Sequence, residues 1–348
     1  MNNFDCIPKT EGITKEEMLA VLLREEYGYI PSAPFSISAR LNAKDERFCA
    51  GKGVLESLTL VCASEWGDVE FPFTFAYPKG AEKPSPAFIH INFRDNIPDA
   101  YQPSEEILDR GYAVFTFCYK NVTSDDGDFS TGIAGAYYKG RERNETDCGK
   151  IAFWAWAAMR LLDYALAYRS DIVRSDRISV IGHSRLGKTA LLAGALDERF
   201  YCAISNNSGC GGAAIARGNT GEKIKDICRN FPFWFCKGYT KYIDNEDNMP
   251  FDQHFLVAAN YPHLVYVASA ELDAWACPEN EYLSAYLASE MYEREGRVGL
   301  SSDKRELPSV GTHCHGGDIG YHYRSGSHYL SRYDWNMYID YLNAKEGE

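Results

Sequence analysis

Residues 182–189 read GHSRLGKT, and two chemistries fit them. Spaced as G-x-x-x-x-G-K-T, they match a phosphate-binding loop, in which backbone amides and Lys188 would cradle a nucleotide's phosphates. Ser184, however, sits between the apolar run RISVIGH and the Ala/Leu-rich run RLGKTALLAGAL, where a strand-to-helix turn presents a nucleophilic hydroxyl. Such a hydroxyl attacks an ester only when a histidine takes its proton and a carboxylate backs the imidazolium. Asp273 in ELDAWACP and His328 in RSGSHYL supply those groups in the chain order Ser, acid, His, each just past an apolar run. The phosphate-binding reading needs an apolar strand that runs directly into a Mg²⁺-binding aspartate, and no run after residue 190 ends that way. The turn also departs from G-x-S-x-G, with Leu186 at the second glycine position and the glycine one residue later at Gly187. A third reading leaves Ser184 as a plain helix N-cap.

The elements around these residues follow an alternating rhythm. A capping box, Thr14 and Glu17, opens an amphipathic helix with Met18, Val21 and Leu22 on one face. LESLTLVCAS and VEFPFTFAYP read as an antiparallel pair. From about residue 86, apolar strands (PAFIHINF, YAVFTFCYK, RISVIGH, FYCAISNNSG, HLVYVASA, IGYHYR) alternate with helices, of which KIAFWAWAAMRLLDYALAY is the longest. A polar loop spans 121–147 and an irregular, aromatic-rich insertion spans about 209–260. Buried β-branched strands alternating with helices predict a mainly parallel central sheet with helices on both faces, a three-layer sandwich. This is the order of the α/β-hydrolase fold, here expected as a single catalytic domain over residues 1–348 with an N-terminal helix and strand extension. A doubly wound nucleotide-binding fold is the competitor.

Composition narrows the partners. With 36 Lys and Arg against 49 Asp and Glu, the net charge of -13 repels polyanions, and no basic run offsets it, so no nucleic-acid partner is expected. No segment is apolar enough to span a membrane and the N-terminus lacks a secretory pattern, so a cytoplasmic protein without a membrane partner is expected, or a secreted one with its signal removed. The odd count of 11 cysteines, several inside apolar runs, reads as reduced thiols and not as a disulfide framework. Aromatics at 14% suit a large core or a sugar-binding cleft.

The turn GHSRLGKTAL resembles that of the glucuronoyl esterases of carbohydrate esterase family 15, in their bacterial branch. NNSGCGGAAIARGNTGE, FPFWF, PFDQHFLVA, YVASAELDAWACPENEYLSA and GDIGYHYRSGSHYLSRYDW are similar to that family's segments and stand in its order, so the likeness covers roughly residues 85–345. The resemblance implies Ser184 as nucleophile, His328 as general base and then acid, and Asp273 as the acid that orients His328. It further implies that the side chain and N–H of Arg185 stabilise the oxyanion, and that Lys188, Glu222 and Trp275 contact the glucuronate sugar. Two positions depart from the pattern: Asn207 stands where some members carry a catalytic Glu, and Phe233 where relatives often show His. The implied substrate is an ester of 4-O-methyl-glucuronic acid on a glucuronoxylan-derived oligosaccharide with a lignin-type or simple alcohol, cleaved without a cofactor.

Other residues call for less. His313, Cys314, His315 and Asp318 lack the paired spacing of a structural zinc site, so no metal site is expected and loop histidines near a cleft are the simpler reading. His322 reads as a packing residue near His328, His183 as a support beside the nucleophile, and Trp154 and Trp156 as core. The alternatives are an acetyl-xylan or broader carbohydrate esterase, a phosphate-loop nucleotide-binding protein, and a carbohydrate-binding protein without catalysis.

Overall fold

In the computed structural model, which describes residues 6–346, one ten-stranded sheet runs through the protein. Its strands are β1 (Ser36–Phe48), β2 (Gly53–Ser64), β3 (Gly67–Pro78), β4 (Ser85–Asn92), β5 (Ala113–Cys118), β6 (Val173–His183), β7 (Cys202–Asn206), β8 (Leu264–Ala270), β9 (His313–Cys314) and β10 (Ile319–Arg324). They lie in the order β1-β2-β3-β5-β4-β6-β7-β8-β10-β9. The block from β5 to β10 is parallel, with Ile181 of β6 facing Ile204 of β7, which in turn faces Tyr266 of β8. Antiparallel strands flank it on both sides, β1, β2 and β3 at one edge and β9 at the other. This is the α/β-hydrolase plan.

The parallel strands are buried along almost their whole length, as the apolar runs require. The helix Lys150–Tyr168 is buried nearly all round, with Trp154 and Trp156 inside it fully enclosed, because its apolar residues leave no polar face for water. The Thr14–Glu17 capping box is present, and Met18 and Leu22 are fully buried, so the first helix docks as its stripe demands. Across the sheet, Trp335, Tyr338 and Tyr341 of the closing helix Arg332–Ala344 pack on Phe88, Ile204 and Tyr266.

Two strands differ from the sequence reading. β1 is a 13-residue strand with mostly exposed side chains, SISARLNAKDERF, whose charges hide the pleat's alternation. It is held by backbone pairing to β2 at the sheet edge, where charge discourages pairing with other chains. β9 is only two residues long and carries no periodic signal. The polar loop 121–147 also contains a helix, Gly132–Tyr138, and the insertion is built from turns and short helices such as Ile224–Asn230 and His254–Ala258.

Candidate active site

Four strands of the sheet end at one place. Ser184 follows β6, Asp273 follows β8, His328 follows β10, and Asp125 lies in the loop after β5. Loops at the carboxyl ends of parallel strands are where such sheets place chemistry.

Ser184 adopts φ 58°, ψ -128°, a region that non-glycine residues occupy only when the surroundings force it. The forcing is visible. Its N–H is tied to Asn206 O at 2.8 Å, and the helix Arg185–Leu196 starts immediately after it. A Cβ on Gly182 would stand 2.0 Å from Leu186 O, so glycine is obligatory two residues before the serine. Gly187 is also packed, since a Cβ there would lie 3.1 Å from both Ser205 Oγ and Ser208 Cβ. Leu186 needs no such room because its side chain is buried in the core below. The Ser184 side chain makes no capping hydrogen bond to the helix, so the N-cap reading fails.

Asp273, His328 and Ser184 line one cavity of about 340 Å³. His328 Nδ1 donates to Asp273 Oδ2 at 2.6 Å, and Asn207 Nδ2 donates to the same oxygen at 2.9 Å. Burial works against ionisation of Asp273, but the His328 contact, then Asn207 and the Ala276 amide, outweigh it and hold the carboxyl below its usual range. Asn207, itself at φ 48° and buried, thus braces the carboxylate. His328 is half-exposed and faces the cavity with its free edge. The loop that carries it is clamped from behind. Arg324 donates to Ser325 O, Ser327 O and Tyr329 O, while its Nε binds Asp334 Oδ1 at 2.7 Å. His322 supports that aspartate at 2.8 Å and also meets Tyr266 OH, so it is a satisfied core residue behind the site.

His183 packs 4.4 Å, centroid to centroid, from the His328 ring and stacks on Tyr101. Burial, reinforced by the neighbouring His328 charge, depresses its pKa to about 3, so it stays neutral beside the His328 ring. Its Nδ1 pairs with Asn206 Oδ1 at 2.6 Å, which fixes the ring.

Arg185 is the first residue of its helix, so its N–H has no partner within the helix. Its guanidinium binds Asp125 and lies over the Trp234 ring at 4.6 Å. Asp125 also accepts from Trp234 Nε1 and from Tyr119 OH, each at 2.8 Å. Trp234 stacks flat on Phe231 at 3.9 Å, and both line the cavity. A fixed cation and a free amide therefore stand beside Ser184.

Lys188 is mostly buried but lines the cavity, and its ammonium donates to Ser208 O at 2.6 Å, to Cys210 O and to Glu222 Oε2 at 3.4 Å. Three N–H groups meet three acceptors, so Lys188 chiefly braces the 208–210 loop and orients Glu222. The phosphate-binding reading of GHSRLGKT thereby loses its lysine. Glu222 is mostly buried and lines the cavity, with its N–H on Trp275 O at 2.8 Å. Trp275 is 56% exposed at the rim, unlike the buried tryptophans of the core. Phe233 lies outside this lining, in a neighbouring hollow with Arg141 and Arg143.

Sequence reasoning missed Asp125, Tyr119, Trp234, Phe231, Arg324 and Asp334. The signal available for Asp125 was its place seven residues beyond the end of a parallel strand, but the surrounding loop offers several other acids. In the GTHCHGGD loop, His315 Nε2 meets Tyr266 OH at 2.7 Å and Asp318 pairs with Arg297. Among the described residues no group of three or more His, Cys, Asp and Glu side chains is placed to hold a metal ion.

Comparison with known proteins places the chain in a family. A family model described as "Glucuronyl esterase, fungi" matches residues 61–296. A carbohydrate esterase from an unknown prokaryotic organism is 39% identical over 242 residues, which is 69% of this chain and 55% of that protein. A 4-O-methyl-glucuronoyl methylesterase from Hypocrea jecorina is 25% identical over 86% of this chain and 60% of its own. The chain thus spans little more than half the length of these two relatives. The solved structure of a glucuronoyl esterase from Solibacter usitatus superposes with a TM-score of 0.88 at 32% identity, covering 97% of this chain and 93% of that one.

Proposed function

This chain belongs to the glucuronyl esterase family, and from that premise we propose that it is a serine esterase of 4-O-methyl-glucuronic acid esters, with lignin-type or simple alcohols as the leaving group. The observation that carries the reading is the Asp273–His328 hydrogen bond in the same cavity as the strained Ser184. In this reading the whole sheet, with the 209–260 insertion folded against it, acts as one catalytic unit.

Ser184 Oγ attacks the ester carbonyl carbon as its proton passes to His328 Nε2, and Asp273 stabilises the imidazolium. The carbonyl oxygen becomes an anion held by the Arg185 N–H and guanidinium. Donors of this kind are each worth about 3 kcal/mol of transition-state stabilisation. His328 then gives its proton to the departing alcohol oxygen, leaving glucuronate bound to Ser184 as an acyl ester. A water molecule, deprotonated by His328, attacks that ester, and the serine takes the proton back as the free acid leaves. Glu222, oriented by Lys188, accepts hydrogen bonds from the sugar hydroxyls, and the exposed face of Trp275 stacks on the ring. Asp273 rather than Asn207 supplies the charge behind the histidine, because Asn207 carries none.

Hydrolysis of benzyl glucuronate by the wild type, Ser184→Ala and Asp273→Ala tests the proposal. Turnover by the wild type, loss of at least about 10³-fold in Ser184→Ala and a smaller but severe loss in Asp273→Ala are expected. A wild type inactive on glucuronate esters but active on acetyl esters would transfer the same machinery to another substrate.

A further inference from the structure

Lys150 opens the longest helix, Lys150–Tyr168, and its side chain is fully buried where a cation is least favoured. A helix N-terminus carries the positive end of the dipole, and a buried ammonium loses its hydration. Both costs fall on this residue. Its Nζ donates to three neutral oxygens, Thr123 Oγ1 at 2.9 Å, Ser124 Oγ at 3.3 Å and Asp128 O at 2.5 Å. It also lies 4.4 Å over the Phe129 ring. Burial lowers its pKa to about 8, although Asp126, Asp128 and Asp125 favour the charge, with Arg143 opposing it. All three acceptors belong to the loop after β5, and Asp125 lies between them in the chain.

The backbone of the same residue holds a second segment. Lys150 N–H donates to Phe233 O at 2.8 Å and Ile151 N–H to Trp234 O at 3.3 Å, using donors that a helix start leaves free. The approach is close, since a Cβ on Gly149 would stand 2.1 Å from Trp234 O. Asp125 and Trp234 are the groups that hold the Arg185 guanidinium, one by its charge and the other by its ring. Lys150 is therefore bonded to both segments that aim this cation.

We propose that Lys150 is a positioning residue for ester hydrolysis, joining the loop after β5 to the 209–260 insertion so that Asp125 and Trp234 meet on Arg185. The inference rests on the esterase reading, and Lys150 itself does not line the catalytic cavity. Replacing its side chain releases the loop but keeps the backbone bonds to the insertion, so the effect falls on Asp125.

The test measures kcat and KM for methyl glucuronate in the wild type, Lys150→Met, Asp125→Asn and the double variant. Lys150→Met is expected to lower kcat by about 10-fold or more with KM within about twofold of wild type. The double variant should lie within about twofold of Asp125→Asn alone, because both changes remove the same aim. A variant that only lowered the folded fraction would multiply the two losses. Multiplied losses, or a kcat for Lys150→Met within about twofold of wild type, overturn the proposal. If the wild type cleaves no glucuronate ester, the esterase reading falls, and the indole N–H that Trp234 donates to Asp125 still decides the linkage. Its ¹⁵N NMR signal, identified by its absence in Trp234→Phe, should shift in Lys150→Met as it does in Asp125→Asn, with the other indole signals in place. An unmoved Trp234 signal overturns the proposal. Should Lys150→Met fail to fold, Lys150→Gln, polar but one bond shorter and uncharged, takes its place under the same expectations.

Discussion

Asp125 holds the guanidinium of Arg185, 60 residues further along the chain, and the same carboxylate binds Trp234 from the insertion and Tyr119 from the end of β5. In the proposed mechanism the oxyanion's cation is therefore aimed by a residue that does not line the cavity. Its precision depends on the loop after β5 and the 209–260 insertion closing on each other.

Asp125→Asn keeps an acceptor for Trp234 but removes the charge that fixes Arg185. We expect kcat to fall by about 10- to 100-fold with KM little changed, since a mis-aimed oxyanion donor is missed only in the transition state. Steady-state kinetics on a glucuronate ester decide it. A rise in KM alone would place Arg185 in ground-state binding instead.

The φ 58°, ψ -128° conformation of Ser184 stores strain that glycine would not feel. Ser184→Gly and Ser184→Ala should both be inactive, yet the glycine variant should be the more stable by on the order of 1 kcal/mol despite its greater unfolded-state entropy. Denaturant midpoints of the two variants give the answer. Equal stability, or a more stable alanine variant, would mean the turn is unstrained.

Glu281 lies under the 208–210 loop, fully buried, receiving Gly209 N–H at 2.9 Å and meeting Ser269 Oγ at 2.7 Å. Burial, with the Asp273 charge adding to it, pushes its pKa up to about 8, so it is protonated in the folded protein at neutral pH. A carboxyl whose folded pKa is raised stabilises the fold fully below its unfolded value near 4.5, and that stability is lost as pH rises towards 8. Glu281→Gln keeps both hydrogen bonds without the titration. Its stability should fall less steeply between pH 5 and 8 than that of the wild type, by up to about 1.4 kcal/mol per pH unit. Parallel pH–stability curves for the two proteins would assign the proton elsewhere.

Lys188 and Trp275 should separate folding from binding. Lys188→Met leaves two buried carbonyls and the Glu222 carboxylate without their donor, which should cost about 3 kcal/mol of stability along with activity. Trp275→Ala, at a 56% exposed rim position, should leave the melting temperature within about 1 °C and raise KM. Calorimetry and kinetics on both variants check the contrast, which would collapse if Trp275→Ala melted as early as Lys188→Met.

Local pattern alone determined much of this protein. Apolar runs and caps marked eight of the ten strands and the main helices, because burial on both faces of a sheet leaves an unbroken apolar run and burial on one face of a helix leaves a periodic one. The chain order of Ser184, Asp273 and His328, each past a strand, was equally readable. β1 escaped because an edge strand pairs through its backbone and can carry charge. Asp125, Arg324 and Asp334 escaped because their partners lie elsewhere in the chain or across a loop, and no spacing rule reports such contacts. Only the tertiary structure decided that Lys188 turns inward to hold carbonyls and that Asn207 braces Asp273. Those outcomes follow from which strands lie side by side, and side-by-side order is set by packing across the whole sheet, not by any run of residues.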